Sequence, residues 1–421
     1  MKEEYLHYLF RMKLLGNTFI TVTGESLEII NFGRYNLNAG PDFLEGQIRF
    51  DNKLWSGHIE FHVNASDWFL HHHENDRAYD NVIAHFVYSA DEEVVINNFN
   101  VPTVELKKLV DENHFKAYHK LIHSKQSIPC KNNVAEVDDF FILQQKERAL
   151  INRLQKKSDQ ILSELNRYNG DLEWTFFVFL ARVFGGKVNQ LPFADLLEKT
   201  NLGTFKKNAN NQIVIDAVLF GIAGLLPKQH NHKYVQDLIK EFDFQKNKHC
   251  LTIMQPLQWR FSKMRPHGFP PIRIAQLSSL LSKNLNVSAL LLEELNRNAI
   301  KKLFLVDLAD FWNTHYRFEN ETKLKSIALS ADFIDLICIN VIVPFKFALG
   351  VLNDDEKLKN SALNLLTSLK PEKNTIIDSW KKIGIKCQSA FDSQALIEQN
   401  NHYCLEKKCL FCTIGTKLLQ S

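Results

Sequence analysis

Residues 57–63 read Gly57-His58-Ile59-Glu60-Phe61-His62-Val63, with polar and apolar side chains alternating from His58 onward. A period of two is the period of a strand. His58, Glu60 and His62 therefore fall on one face, and Ile59, Phe61 and Val63 on the other. Working outward, short β-favouring runs recur from Phe19 to about Leu106: FITV, SLEIINFG, FLEGQIRF, LWSGHIEFHV, NVIAHFVY and EVVI. Turn residues separate them at Thr23-Gly24, Asn38-Ala39-Gly40-Pro41 and Asp51-Asn52-Lys53. Ahead of them, residues 1–15 read as a short amphipathic helix with Tyr5, Tyr8, Leu9 and Met12 at helical spacing.

After Lys107 the hydrophobic period becomes helical. Within 147–168, Leu150, Leu154, Ile161, Leu165 and Tyr168 share one face, with lysines, arginines and acids opposite. Further helical patterns fall at 174–184, 214–226, 234–242, 272–283, 289–305 and 333–343. Ser127-Ile128-Pro129-Cys130 breaks the pattern, because Pro129 biases Ile128 away from helix. The expected architecture is α+β: a β-rich N-terminal domain over 1–125, then an all-helical C-terminal domain over 126–421.

A chain of 421 residues exceeds the usual size of one hydrophobic core, which agrees with two domains. A hydrophobic share of 45% and a charged share of 24% are those of a globular protein. The net charge of +3 excludes a global attraction to nucleic acid, so any polyanion contact needs a local patch. The start MKEEYLHYLF makes a poor signal peptide, since its apolar run is short and Arg11 and Lys13 follow. Asp335 and Asn340 interrupt the apolar stretch 333–343, which is too short to span a bilayer. A cytoplasmic location with no membrane partner is expected.

Six of the 16 histidines fall between 58 and 85. The run Phe43–Phe50 should form a hairpin with the strand that carries Glu60, through Asp51-Asn52-Lys53. With a three-residue loop, Asp42 would lie opposite His62 and close to Glu60. Two carboxylates and an imidazole at a strand end can hold a divalent cation. Oxygen ligands suit Mg²⁺ or Mn²⁺, and added histidines shift the preference toward Zn²⁺, Mn²⁺ or Fe²⁺. Each of these residues also has a plain structural use. Pro41-Asp42 is ordinary turn chemistry, Ser66-Asp67-Trp68 suits a helix N-terminus leading into 69–74, and His71-His72-His73 suits a polar loop. His73, Asp76 and His85 are further candidates to line a site.

Pro41-Asp42 followed by Glu60-Phe61-His62 resembles the PD…(D/E)xK pattern of metal-dependent nucleases. The resemblance implies Asp42 and Glu60 as metal ligands, with Glu4 on the preceding helix as an extra acid. His62 stands where that pattern has lysine, so its role is ligand or general base. The segment from Trp259 to Gln276 carries Arg260, Lys263, Arg265 and Arg273 with interleaved aromatics and no acid. Two uses fit it: contact with phosphates and bases, or an arginine-rich seam between domains.

Seven cysteines without a secretory signal argue against a disulfide framework. Cys404, Cys409 and Cys412 form a C-x4-C-x2-C tail that can ligate Zn²⁺ or an iron–sulfur cluster. His402, Cys387 or Cys130 could supply the fourth ligand. Some nucleases of the same pattern are similar in having one cysteine ahead and three behind, which implies Cys130.

The segments LHYLFRMKLL, NLNAGPDFLEGQIRF, WSGHIEFHVNASDWFLHHHENDRAYDNVIAHFVY, WRFSKMRPHGFPPIRIAQL and YCLEKKCLFCTIG resemble an uncharacterised bacterial family, domain of unknown function 2851. That resemblance implies a shared architecture and no particular activity. Two functional classes remain open from the residues. One is a metal-dependent phosphodiesterase or nuclease using Asp42, Glu60 and His62 on nucleic acid. The other is a non-enzymatic binding or scaffold protein with a structural metal at its cysteines.

Overall fold

The computed structural model describes residues 1–420, apart from 98, 201, 256–257, 263, 284 and 324–326. It begins with helix α1 (Glu3–Arg11), followed by strands β1 (Thr18–Ile20), β2 (Ser26–Asn31), β3 (Arg34–Tyr35), β4 (Phe43–Phe50) and β5 (Lys53–Asn64). The single-turn helix α2 (Asp67–Leu70) leads to β6 (Val82–Ser89), β7 (Val95–Ile96), β8 (Phe99–Asn100), β9 (Thr103–Glu105) and helix α3 (Glu112–Ile122). From Asp139 onward the described elements are helical. The class is α+β, as the change of hydrophobic period implies.

One mixed sheet has the order β1-β2-β4-β5-β6-β9, with β3 paired to β4. Its pairs are antiparallel up to β4–β5, whereas β5–β6 and β6–β9 are parallel. The β4–β5 turn has two residues, not three. Asp51 and Asn52 have φ of +51° and +53°, as a type I′ turn requires, so Phe50 pairs with Lys53. A bulge at Glu45, φ +60°, moves the register by one more residue, and Phe43 then pairs with Ile59. Asp42 consequently sits beside Glu60 and Phe61 rather than opposite His62. Both corrections come from backbone conformations that hydrophobic alternation does not report.

The alternation itself holds. Ile59 and Phe61 are fully buried against Phe43, Phe86 and Phe10 of α1, with Phe10 ring centroids 4.9 Å from Phe43 and 5.0 Å from Phe61. Each such ring contributes roughly 1.5–3 kcal/mol by leaving water. The opposite face is also covered. Trp68, Tyr79, Val82, Val94 and Val101 form a second small core, which buries Glu60 and His62 as well.

The chain divides into two compact units, residues 1–145 with 401–421, and residues 146–400. The sequence reading draws its division at 125–126 and assigns the cysteine tail to the helical part; here the tail belongs with the sheet. In the first unit, Leu410 and Leu419 of the tail pack with Tyr5, Tyr8 and Tyr118. Arg11 Nη2 donates to the Leu410 carbonyl at 3.0 Å, and Lys407 Nζ donates to the Ser124 carbonyl at 2.8 Å.

The second unit is a helical bundle whose core includes Phe176, Phe220, Trp312 and Phe345. Its helical run Ala331–Leu352 is 22 residues long, with a mean hydropathy of 2.0 over its most apolar stretch. That is longer than the 333–343 read from the sequence, and by length and composition it is enough to cross a membrane. Of that stretch, 83% is buried inside the protein. The run continues because a π-helical turn at Cys338–Ile342 precedes Pro344, which then occupies a first-turn position where its missing N–H does no harm.

Candidate metal centre

The centre is built from the loop before β4, the middle of β5, the first turns of α1 and the loop after α2. Asn36 closes the first of these. Its Nδ2 donates to the carbonyls of Ala39 (3.2 Å) and Pro41 (3.0 Å), and its amide donates to the Asp42 carbonyl at 2.7 Å. Gly40, at φ +100°, supplies the backbone turn that a side chain would strain. Because Asn36 satisfies the loop, Asp42 does not cap its own turn. Its Oδ2 instead accepts from the Phe61 amide at 3.0 Å, while its own amide donates to Glu60 Oε2 at 3.0 Å. The two strands thus lock these carboxylates side by side.

Helix α1 adds two groups. Glu3 and His7 lie one turn apart on the same side, with Glu3 Oε1 3.6 Å from His7 Nε2. His7 Nε2 is 3.1 Å from Asp42 Oδ2, and its Nδ1 is 3.3 Å from the Tyr35 hydroxyl. Glu3, not the neighbouring Glu4, is the helix acid that faces the centre. The i,i+4 spacing of Glu3 and His7 was available in the sequence as the signal for it.

On the other side of Glu60 lies a histidine group. Glu60 Oε1 is 3.6 Å from His73 Nε2 and 3.8 Å from His62 Nε2. His71 Nδ1 is 3.3 Å from His62 Nε2, and His62 Nδ1 is 2.8 Å from His85 Nε2 on β6. Two triads, Glu3–His7–Asp42 and His62–His71–His73, each bring their ligand atoms within 4.8 Å of one another. Glu60 stands between them. Of the other candidates, His58 accepts from the Glu45 amide at 3.4 Å, at the bulge, and Asp76 accepts from Ala78 to cap a 3₁₀ turn. The Ser66 hydroxyl donates to Asp91 instead of capping α2.

The electrostatics are those of a site built around like charges. Burial, and then the Asp42 carboxylate, push the Glu60 carboxyl well above the usual carboxylate range. The same causes raise Glu3 to about 7. Burial and the neighbouring histidines lower His62 to about 2, and burial lowers His85 to about 3, so both rings are neutral. Among the described residues, no lysine or arginine forms an ion pair with Glu3, Asp42 or Glu60; their partners are histidines.

The cysteines lie elsewhere in the first unit. Cys130, Cys404, Cys409 and Cys412 are buried and in no disulfide. Burial, then Cys412 and Cys409, push Cys130 up to about 12; burial and Cys412 do the same to Cys409. Cys130, Cys409 and Cys412 therefore sense one another, although more loosely than the histidine and carboxylate triads close. His402 Nδ1 is engaged by Glu406 at 3.0 Å, and Cys387 belongs to the second unit. In the cationic segment, Trp259 Nε1 donates to the Ala223 carbonyl at 2.8 Å. The Arg273 guanidinium lies 3.7 Å from the Phe333 ring centre, and Lys263 falls outside the described residues.

Fold and centre together define an α+β protein with carboxylates and histidines gathered beside the parallel strands of a mixed sheet. Over residues 3–375 the chain matches the family described as Protein of unknown function (DUF2851), and it belongs to that family. The match includes Asp42, Glu60, His62 and Cys130 and ends ahead of Cys404, Cys409 and Cys412. No curated protein and no solved structure matches the chain.

Proposed function

We propose that this protein is a metal-dependent phosphodiesterase acting on nucleic acid, with Asp42 and Glu60 holding a divalent cation. The observation that carries the reading is the meeting of Glu3, Asp42 and Glu60 with no lysine or arginine, among the described residues, paired to them. Carboxylates crowded in a buried site repel one another and stay protonated unless a cation replaces the protons. Mg²⁺ or Mn²⁺ suits the oxygen-rich side at Glu3, Asp42 and Glu60. Such an ion lowers the pKa of a bound water, which can then attack phosphorus, and it neutralises charge on the phosphate. The PD…(D/E)xK resemblance implies the same two residues as ligands. His62, almost fully buried beside Glu60, suits the role of ligand better than that of an open general base.

Cys130, Cys404, Cys409 and Cys412 are assigned to a Zn²⁺ ion or an iron–sulfur cluster that staples the tail to the sheet unit. Metal would favour the thiolate forms that burial, and then the neighbouring cysteines, now disfavour at Cys130 and Cys409. Reduced thiols agree with a cytoplasmic location. The test measures Mn²⁺ binding and cleavage of single- and double-stranded DNA and RNA by wild type, Asp42→Asn and Glu60→Gln. Both variants should lose Mn²⁺ affinity and cleavage together. Unchanged Mn²⁺ binding in both, or no cleavage by wild type with either ion, would overturn the reading in favour of a binding or scaffold role.

A further inference from the structure

We infer a second metal site formed by His62, His71, His73 and Glu60 Oε1, selective for a borderline transition-metal ion such as Zn²⁺. It goes beyond the phosphodiesterase reading, since it needs no substrate, and it shares Glu60 and the ligand role of His62 with that reading. The three imidazoles form a nearly equilateral triangle, with ring centroids 5.2, 5.3 and 5.4 Å apart. One ring nitrogen of each lies within 4.8 Å of those of the other two. Glu60 Oε1 caps the group at 3.6 and 3.8 Å, too long for hydrogen bonds. Zinc–nitrogen bonds of about 2.0–2.1 Å give a tetrahedron with edges of about 3.3–3.4 Å. Three edges, His62–His71 at 3.3 Å, His73–Glu60 at 3.6 Å and His62–Glu60 at 3.8 Å, lie within a few tenths of an ångström of these values, and the three histidine nitrogens all lie within 4.8 Å of one another.

Three features hold the rings in this arrangement. His72 adopts a left-handed conformation, φ +61° and ψ +32°, which turns the chain so that both flanking residues face one point. The Tyr79 ring stacks on His73 at 3.8 Å, and the Trp68 ring meets His62, His73 and His85 edge-on. Behind His62, His85 Nε2 takes up Nδ1 at 2.8 Å. A metal-bound imidazole needs such a partner for its second nitrogen, because that hydrogen bond fixes the tautomer that leaves Nε2 free to coordinate. His85 is thus a positioning residue. Three nitrogens and one carboxylate suit Zn²⁺, Co²⁺ or Fe²⁺ and discriminate against Mg²⁺, which prefers oxygen. Glu60, with Oε2 toward Asp42 and Oε1 toward the histidines, would bridge a borderline and a hard ion.

The test is a Co²⁺ titration of the chelator-treated full-length protein, followed by its visible d–d absorption and displaced by Zn²⁺. Bands without thiolate charge transfer separate this site from the cysteines. The expected result is a one-equivalent nitrogen–oxygen spectrum in wild type and in Asp42→Asn. In His71→Ala and His73→Ala the Co²⁺ affinity should fall about a hundredfold or more, at least the loss that removal of an outer partner brings. His71 is exposed, so its replacement leaves the core intact and keeps the test readable. Persistence of the spectrum in both histidine variants, or its absence from wild type, overturns the second site. Absence of nucleic-acid cleavage alongside an intact Co²⁺ spectrum would overturn only the phosphodiesterase reading.

Discussion

The Asp42 amide donates to the Glu60 carboxylate, and the Asp42 carboxylate accepts from the amide of Phe61, each at 3.0 Å. This reciprocal pair fixes two acids side by side at the start of β4 and the middle of β5. It also sets a conflict between stability and function. Asparagine at position 42 would keep both backbone hydrogen bonds while removing the charge that raises Glu60 and Glu3. Asp42→Asn should therefore bind divalent ions poorly and yet, without metal at pH 8, be more stable than wild type by about 1 kcal/mol, the scale of a one-unit pKa relief. Urea unfolding in chelator measures this. A metal-free variant less stable than wild type at pH 8 would contradict the repulsion argument.

The pH dependence of the metal-free protein should have two arms. His62 and His85 are held neutral in the fold, at about 2 and about 3, against an ordinary value of 6.5. Below pH 6.5 the unfolded chain binds more protons, so this contribution falls as the pH drops toward those folded values. Glu3 and Glu60 act in the opposite direction. Their folded values lie above the ordinary 4.5, so their contribution is present below 4.5 and is lost as the pH rises, through about 7 for Glu3. Thermal melts in chelator should thus peak between pH 4.5 and 6.5. Mn²⁺ should raise the melting temperature more at pH 8 than at pH 6, because coordination requires the ionised carboxylates. A metal-induced shift that shrinks with rising pH would refute this.

Gly57 provides a packing test beside the centre. A methyl group there would lie 2.4 Å from the Asn81 carbonyl oxygen and 2.5 Å from Ile83 Cγ2. The same Asn81 carbonyl accepts from the His58 amide at 2.8 Å, where β5 and β6 begin to pair. Gly57→Ala should cost about 1–3 kcal/mol through forced separation of these strands. Chemical denaturation measures it, and an unchanged midpoint would mean the strands part freely at this point.

What the sequence conveyed about the centre was the set of strands, not their joining. Short β-favouring runs bounded by turn residues mark β4, β5 and β6 in the sequence, although β6 and the middle of β5 are buried on both faces. Register depended on Glu45, a non-glycine residue at φ +60°, which nothing in its side chain signals. The parallel β5–β6 pairing is non-local and places His85 beside Glu60, a neighbour that spacing within either strand cannot reveal. On α1 the polar i,i+4 pair Glu3 and His7 is masked by the stronger helical spacing of the apolar and aromatic residues. The run His71-His72-His73 suits a polar loop, and the convergence of His71 and His73 depends on the left-handed backbone of His72, which residue types do not signal.

The tail should support the centre through α1. Leu410 is 4% exposed and packs with Tyr5 and Tyr8, which flank His7 along the helix. Tyr5 in turn stacks on Tyr118 at 4.4 Å, so a cavity at Leu410 loosens one side of α1. Leu410→Ala should destabilise the sheet unit by about 2–5 kcal/mol, as buried leucine truncations do. Because α1 also carries Glu3 and His7, Mn²⁺ affinity at Asp42 should fall in the same variant, although no ligand has been changed. Ile20→Ala, at a side chain 63% exposed in the same unit, should change neither property by a measurable amount. Parallel unfolding and Mn²⁺ titrations on the two variants separate the effects. If Leu410→Ala lost stability but kept full Mn²⁺ affinity, the tail would brace the fold without positioning the helix acids, and the link from the cysteine segment to the centre would be broken.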